Sequence, residues 1–236
     1  MASIPEAEQT TGALYELVAA LCSSAQPAGW LTPSSEDGWW IRVCNAHARS
    51  PAQGWKLHIS AGPGSVAVVL RRALPVLLAE DASFKVIASI ERLRALNDGE
   101  AGLSQVGKCI TVYPNDDAQA LRLARVLHAA TRGLAGPAIP SDRPLAAGSL
   151  VHYRYGSFDA RLVQMPGGAI EWALAQPDGT LRPDVRAVGC YRPEWAVDPF
   201  IAAGVADAPE PPEALIGGRY LVIETLAQSA RGTVAR

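Results

Sequence analysis

The chain has 236 residues, 49% of them hydrophobic, with a formal net charge of −2. That is enough apolar material for a sizeable core, in one large domain or a domain plus a fragment of another. The near-balanced charge argues against broad nucleic-acid or polyanion binding, so any anion recognition must be local.

Apolar positions at helical spacing (Leu14, Leu17, Val18, Leu21) predict an amphipathic helix from Glu6 to Cys22. After a Pro/Gly/Ser-rich loop, Ser24 to Gly38, Trp39 to Cys44 reads as a strand, and turn residues 50–54 lead into a second, Trp55 to Ser60. Val66 to Leu78 follows as a helix that Pro75 could kink, and Phe84 to Ile87 as a short strand. Ser89 is placed to cap a helix Ile90 to Leu96 that Asn97-Asp98-Gly99 ends. Strand Lys108 to Tyr113 and helix Asp116 to Arg132 complete a mixed α/β or α+β layer. Beyond Pro137 the texture turns to β. Strands are expected at Ser149 to Tyr155, Ala160 to Met165 and Ala169 to Ala175, with turns at Gly156-Ser157, Pro166-Gly167-Gly168 and Gln176 to Gly179. Ala202 to Ala214, rich in Ala, Pro, Asp and Glu, reads as a linker before a new strand at Gly218 to Ile223.

Cys22, Cys44, Cys109 and Cys190 are scattered without paired spacing, three of them in apolar runs. They are expected to be buried free thiols in a reducing cytoplasm. With no CxxC and no HExxH, no metal site is expected, and no secretion signal or membrane span is evident.

The lysines carry the chemistry. Of 21 basic residues only Lys56, Lys85 and Lys108 are lysine. Surface cations tolerate replacement by arginine, which stays charged, whereas a desolvated ammonium can lose its proton and act as a base. All three lie in apolar, strand-like contexts, which points to a shared active site; the bland reading is chance survival on wet strand faces. In Trp55-Lys56-Leu57-His58-Ile59-Ser60, period two puts Lys56, His58 and Ser60 on one face and Trp55, Leu57 and Ile59 on the core face. Lysine beside histidine makes an anion site with a titratable acid, or else a solvated face with an incidental histidine.

Lys56-Leu57-His58 with Lys85 twenty-seven positions on resembles the phosphothreonine lyase family of secreted bacterial effectors. More of the chain resembles the N-terminal lyase domain of class III and class IV lanthipeptide synthetases. The segments that carry this are Gln53 to Ala61, Leu103 to Lys108 running into Ile110-Thr111-Val112-Tyr113-Pro114, Pro140 to Leu145, and Gly148 to Gly156. Pro193-Glu194-Trp195 and Asp198-Pro199-Phe200 are similar to the stretch before the kinase domain of such synthetases. Gly217 to Ile223, Leu226 and Gly232-Thr233-Val234 resemble the start of a protein kinase, although the loop Ala227 to Arg231 lacks its usual glycines.

The resemblance implies an α+β fold with a mixed or antiparallel sheet and flanking helices. It also implies three segments: a phosphoserine/phosphothreonine lyase domain at 1–200, a linker at 201–214, and the start of a kinase-like N-lobe at 215–236. The implied reaction eliminates phosphate to leave dehydroalanine or dehydrobutyrine. By the same resemblance Lys85 is the base, its pKa depressed by nearby cations, and His58 the acid. Lys56 then stabilises enolate-like charge or holds phosphate, and Arg154, Lys108 and Arg143 bind phosphate. Asp142 could instead pair with Arg143 and brace a loop. Tyr113 is a phosphate donor or a strand aromatic, and His152, pointing opposite Tyr153, is taken as structural. No cofactor is expected for the lyase step, ATP and Mg belonging to a kinase unit. Expected partners are a phosphorylated precursor peptide and the kinase and cyclase domains of one cytoplasmic synthetase, with no nucleic acid or membrane. The rivals are a non-catalytic phosphopeptide-binding module attached to a kinase, and a host-directed effector.

Overall fold

The computed structural model describes residues 6–25, 30, 38–159 and 161–207, with side chains from residue 12 onward; past 207 it describes only short strand segments. Four helices and a six-stranded sheet form the main body. Helix α1 spans Glu6–Ala25, α2 Val66–Ala79, α3 Ile90–Asn97 and α4 Asp117–Thr131. The strands are β1 Trp40–Val43, β2 Gln53–Ile59, β3 Ser83–Ile87, β4 Ile110–Tyr113, β5 Arg143–Pro144 and β6 Val151–Ser157. They are ordered β1-β3-β4-β2-β6-β5, every neighbouring pair antiparallel. The fold is therefore α+β with an antiparallel sheet.

One sheet face is apolar. Ile41, Val43, Leu57, Ile59, Phe84, Val86, Ile110 and Val112 are all essentially inaccessible. Against them lie Val69, Leu70, Ala73, Leu74 and Leu77 of α2 and Ala120, Leu123, Ala124 and Leu127 of α4, each set recurring every three or four residues so that it forms one stripe. A buried leucine of this kind contributes about 1.5–3 kcal/mol. α1 packs on α2 through Leu14, Val18 and Cys22. Pro75 does not interrupt α2, and Ser89 caps α3 as expected, accepting from the Arg92 amide.

Several boundaries differ from the sequence reading. Lys108 precedes β4: Gly107 has φ +77° and the Lys108 amide bonds Gln105 O, so a turn delivers this lysine. Gly156 and Ser157 extend β6 where a turn was expected, because Gly54 and Gln53 of β2 pair with them. The hairpin expected after residue 160 is a three-stranded meander, β7 Leu162–Gln164, β8 Ile170–Ala175 and β9 Leu181–Pro183. Cys22 and Cys109 are buried, but Cys44 is exposed, one step past the inward Val43, and Cys190 is half-buried.

The packed body also runs past residue 200. Helix α5, Pro199–Ala202, is capped by Asp198, and Phe200 stacks on Tyr153 with ring centroids 4.1 Å apart. Ala206 is buried behind it, so residues 201–206 of the expected linker pack against the body. Residues 208–214 lie outside the described residues. So does the expected kinase-like start at 215–236, except for the antiparallel pairs Leu215–Ile216 with Tyr220–Leu221 and Thr225–Ser229 with Gly232–Ala235. No helix among the described residues is long and apolar enough to cross a membrane.

Candidate active site

The sheet face opposite the helices carries the polar side chains, and register sorts them into two rows. Directly opposed residues in antiparallel strands share a face. One row therefore runs His152, His58, Thr111, Lys85, Arg42 across β6, β2, β4, β3 and β1. The second brings Arg154 directly opposite Lys56. Tyr113 comes alongside, its ring centroid 5.4 Å from Lys56 Nζ, with the Phe158 ring at 5.5 Å. The expected face for Lys56 and His58 is thus correct, but the face is not wet. Lys56 is 9% exposed, His58 3% and Arg154 4%. Exposure rises along the first row, from buried Thr111 to half-buried Lys85 and exposed Arg42, so the row opens at its β1 end.

Asp142 organises the closed end. Its Oδ2 meets His58 Nδ1 at 2.5 Å, its Oδ1 meets Lys108 Nζ at 2.9 Å, and the Ser141 hydroxyl donates to Oδ1 at 2.8 Å. Burial opposes ionisation of Asp142, but His58 and Lys108 reverse that and hold its carboxyl well below the usual range. The ionised carboxylate accepts the hydrogen bond from His58 Nδ1–H, which leaves Nε2 the unprotonated nitrogen of the neutral ring. Burial, helped by the charges of Lys108 and Lys56, pushes His58 below the ordinary histidine value, with Asp142 opposing. His58 is therefore a neutral imidazole at neutral pH. Burial and then the facing Arg154 draw the Lys56 ammonium down to about 7. Burial likewise lowers Lys108, against Asp142, and raises the Tyr113 hydroxyl to about 12.

At the other end of the polar face, Arg154 Nη2 donates to Asp184 Oδ1 at 2.5 Å and to Val185 O at 3.2 Å. Asp184 follows β9, and the meander rests on β6, so the segment after β9 roofs this end of the face. Gly156 makes room for it. A Cβ there would lie 3.3 Å from Arg154 Nη1 and 3.5 Å from Asp184 Oδ2.

Lys56, His58, Lys85, Lys108 and Arg154 are brought to one face, although Lys108 and Arg154 already hold carboxylates. Lys85 Nζ lies 3.9 Å from the Trp40 ring centroid. Arg143 is placed elsewhere: its register partner is Tyr153, on the helix side of the sheet, and its guanidinium donates to Asp207 O. Asp142 pairs with His58 and Lys108, not with Arg143. His152 does point opposite Tyr153, and for that reason lies beside His58 on the polar face, 5% exposed. Asp184 and Arg186 had no signal in the sequence, since β9, the third strand of the meander that delivers them, was not legible. Asp142 was visible inside Pro140 to Leu145, but nothing local identified its partners.

Two surface pockets, of about 710 and 900 Å³, open beside Trp55 and Tyr155, and neither is lined by Lys56, His58 or Lys85. We place the site at the polar cluster because the titratable groups converge there. Among the described residues, no three His, Cys, Asp or Glu side chains are arranged to hold a metal.

Residues 18–212 match the family described as RamC, N-terminal domain. A probable SapB synthase of Streptomyces coelicolor is 39% identical over 189 residues, which is 80% of this chain. The chain spans only 20% of that relative's length. Among solved structures, an effector protein from Pseudomonas syringae pv. tomato superposes with a TM-score of 0.47 at 17% identity, over 67% of this chain and 68% of that one. The phosphothreonine lyase SpvC, an effector from Salmonella, gives 0.42 at 15% identity, over 61% and 90%.

Proposed function

The chain belongs to the family of RamC N-terminal domains, and from that premise we propose that it is a lyase that eliminates phosphate from phosphoserine or phosphothreonine in a lanthipeptide precursor. The observation that carries the reading is the row His58–Thr111–Lys85. An acid with an ionised orienting partner and a more accessible lysine flank one short side chain, about two strand spacings or ~10 Å apart. A residue lying over Thr111 has its Cα hydrogen toward Lys85 and its phosphate toward His58, Lys56 and Arg154.

In this mechanism Lys85 takes the Cα proton. The electrons form the Cα–Cβ double bond, the Cβ–O bond breaks, and His58 Nε2 gives its proton to the departing phosphate oxygen. The phosphate dianion first raises the His58 pKa, so that Nε2 takes up a proton from solvent, with Asp142 steadying the imidazolium. Lys56, opposite Arg154, regains its proton beside the same dianion and holds it. Its depressed pKa also makes Lys56 a second candidate base, which a substitution distinguishes.

Both protons move through side chains, so the step as drawn takes no metal or organic cofactor. ATP and Mg would serve a kinase unit elsewhere in a longer cytoplasmic synthetase, which would phosphorylate the same precursor; a cyclase unit would use the product. These units are part of the proposal, since the match spans only 20% of the relative's length.

The test is incubation with a phosphoserine peptide without ATP or metal, read by mass spectrometry for loss of phosphoric acid. The parent is expected to eliminate, with Lys85→Arg and His58→Ala down at least about 100-fold. Elimination that survives Lys85→Arg but not Lys56→Arg moves the base to Lys56. Tight phosphopeptide binding with no mass loss leaves a binding module instead.

A further inference from the structure

Lys85, the base in the elimination just drawn, stands in the more open half of its row, half-buried beside exposed Arg42. Its nitrogen sits at the end of a flexible four-carbon stem. A base must nevertheless meet the Cα–H bond at one place, and a misplacement of about 1 Å can cost on the order of 100-fold in rate. Burial alone does not fix this nitrogen, so a contact has to.

Trp40 supplies that contact. Lys85 Nζ lies 3.9 Å from its ring centroid, well inside the ~6 Å within which a cation is drawn to an indole face. Lys56, by comparison, stands 5.4 and 5.5 Å from the Tyr113 and Phe158 centroids. The pairing follows from register. Arg42 lies opposite Lys85 and Trp40 opposite Ile87, so Trp40 is the diagonal neighbour of Lys85 across β1 and β3. An aromatic ring and a long side chain span that separation. The backbone that carries the ring is anchored as well. The Trp39 carbonyl accepts from the Ala88 amide at 2.8 Å, which prolongs the ladder between β1 and β3. Period two turns Trp39 the other way, where Arg92 Cζ lies 4.4 Å from its centroid, and leaves Trp40 to Lys85.

We propose that Trp40 is a positioning residue that docks the Lys85 side chain at the mouth of the row. The inference rests on the elimination reading with Lys85 as its base, and Trp40 acts through Lys85, not on the substrate. The negative face of the ring attracts the ammonium and holds the uncharged amine much less. Lys85 takes a proton only as the free amine, so the form that reacts is the one the ring releases. The electron pair on Nζ forms the new N–H bond as the Cα–H bond breaks. The ammonium so formed is drawn back to Trp40, away from the new double bond, and gives its proton to water at the exposed β1 end.

The experiment uses the full chain in two measurements. With only three lysines, a chain labelled with an NMR-active carbon at lysine Cε gives three methylene signals, and Lys85→Arg identifies the one from Lys85. In the folded parent the protons of that methylene are expected upfield of their unfolded position, through the indole ring current, and Trp40→Leu is expected to return them. No upfield displacement in the parent overturns the docking. Elimination from a phosphoserine peptide is then followed at the pH of maximal rate. Trp40→Leu is expected to lower kcat about 10- to 100-fold with KM within about twofold, and to raise the isotope effect of a Cα-deuterated substrate. Trp40→Phe, which keeps a ring face, is expected to recover most of the lost kcat. Thermal melts confirm that each variant folds, and the parent spectrum decides the matter if the leucine variant does not. Parental kcat and isotope effect in a folded Trp40→Leu variant overturn the positioning role alone. Elimination that survives Lys85→Arg moves the base and overturns that role too, whereas a parent that eliminates nothing removes the reading beneath it.

Discussion

Asp142→Asn tests the organisation of the closed end most directly. The substitution keeps the shape of the side chain and removes one negative charge that two buried groups share. At an effective dielectric near 20, the 2.9 Å contact with Lys108 corresponds to about 6 kcal/mol of attraction before desolvation is counted. Breaking a buried pair from one side typically costs about 3–5 kcal/mol net, because the remaining ammonium has lost its counter-charge. Lys108 can relieve part of that by shedding its proton, which burial already favours, so the expected loss is about 3 kcal/mol at pH 7. The sign with pH follows from the depressed carboxyl. The stabilisation is fully present above the unfolded value of about 4 and is lost as pH falls toward the folded one. Urea denaturation of parent and variant between pH 3 and 8 measures it: the two curves should lie apart at pH 7 and begin to draw together below about pH 4. A parallel nitrogen NMR spectrum should show the His58 Nδ1–H tautomer in the parent and a mixture in the variant. A loss below about 1 kcal/mol at pH 7, with the tautomer unchanged, would refute the assignment of Asp142 as the shared counter-ion.

Two further outcomes are expected. Lys56→Met should be more stable than the parent below pH 7 while losing elimination activity. The gain should fade from pH 7 toward 10.5, because over that range the unfolded lysine keeps a proton that the folded one has given up; a pH series of urea midpoints reads it, and a pH-independent difference contradicts it. Phe200→Ala should cost about 3–5 kcal/mol, since a fully buried ring stacked on Tyr153 and edge-on to Trp55 leaves a cavity in the main body. A cost below about 1 kcal/mol would instead show that α5 is not part of the packed core.

Much of the frame was written locally. Helices α2, α3 and α4 follow from three-to-four spacing of apolar residues and, for α3, from the cap at Ser89. β2 follows from strict alternation. Period two alone put Lys56 and His58 on one face, and the scarcity of lysine picked out three residues that all come to the polar cluster. What the chain could not declare locally is which strands lie side by side. Register decided that Arg154 faces Lys56, that Thr111 separates His58 from Lys85, that His152 joins the polar face, and that Arg143 falls on the other side with Tyr153. Burial by the roof after β9 turned a face that alternation alone left open to water into a desolvated site, and with that moved the pKa values. Asp142 and Asp184 lie 84 and 30 residues from the groups they hold. Sequence periodicity reports the direction of a side chain within its own element; the identity of its counter-charge depends on long-range packing, and only the tertiary structure brings those charges together.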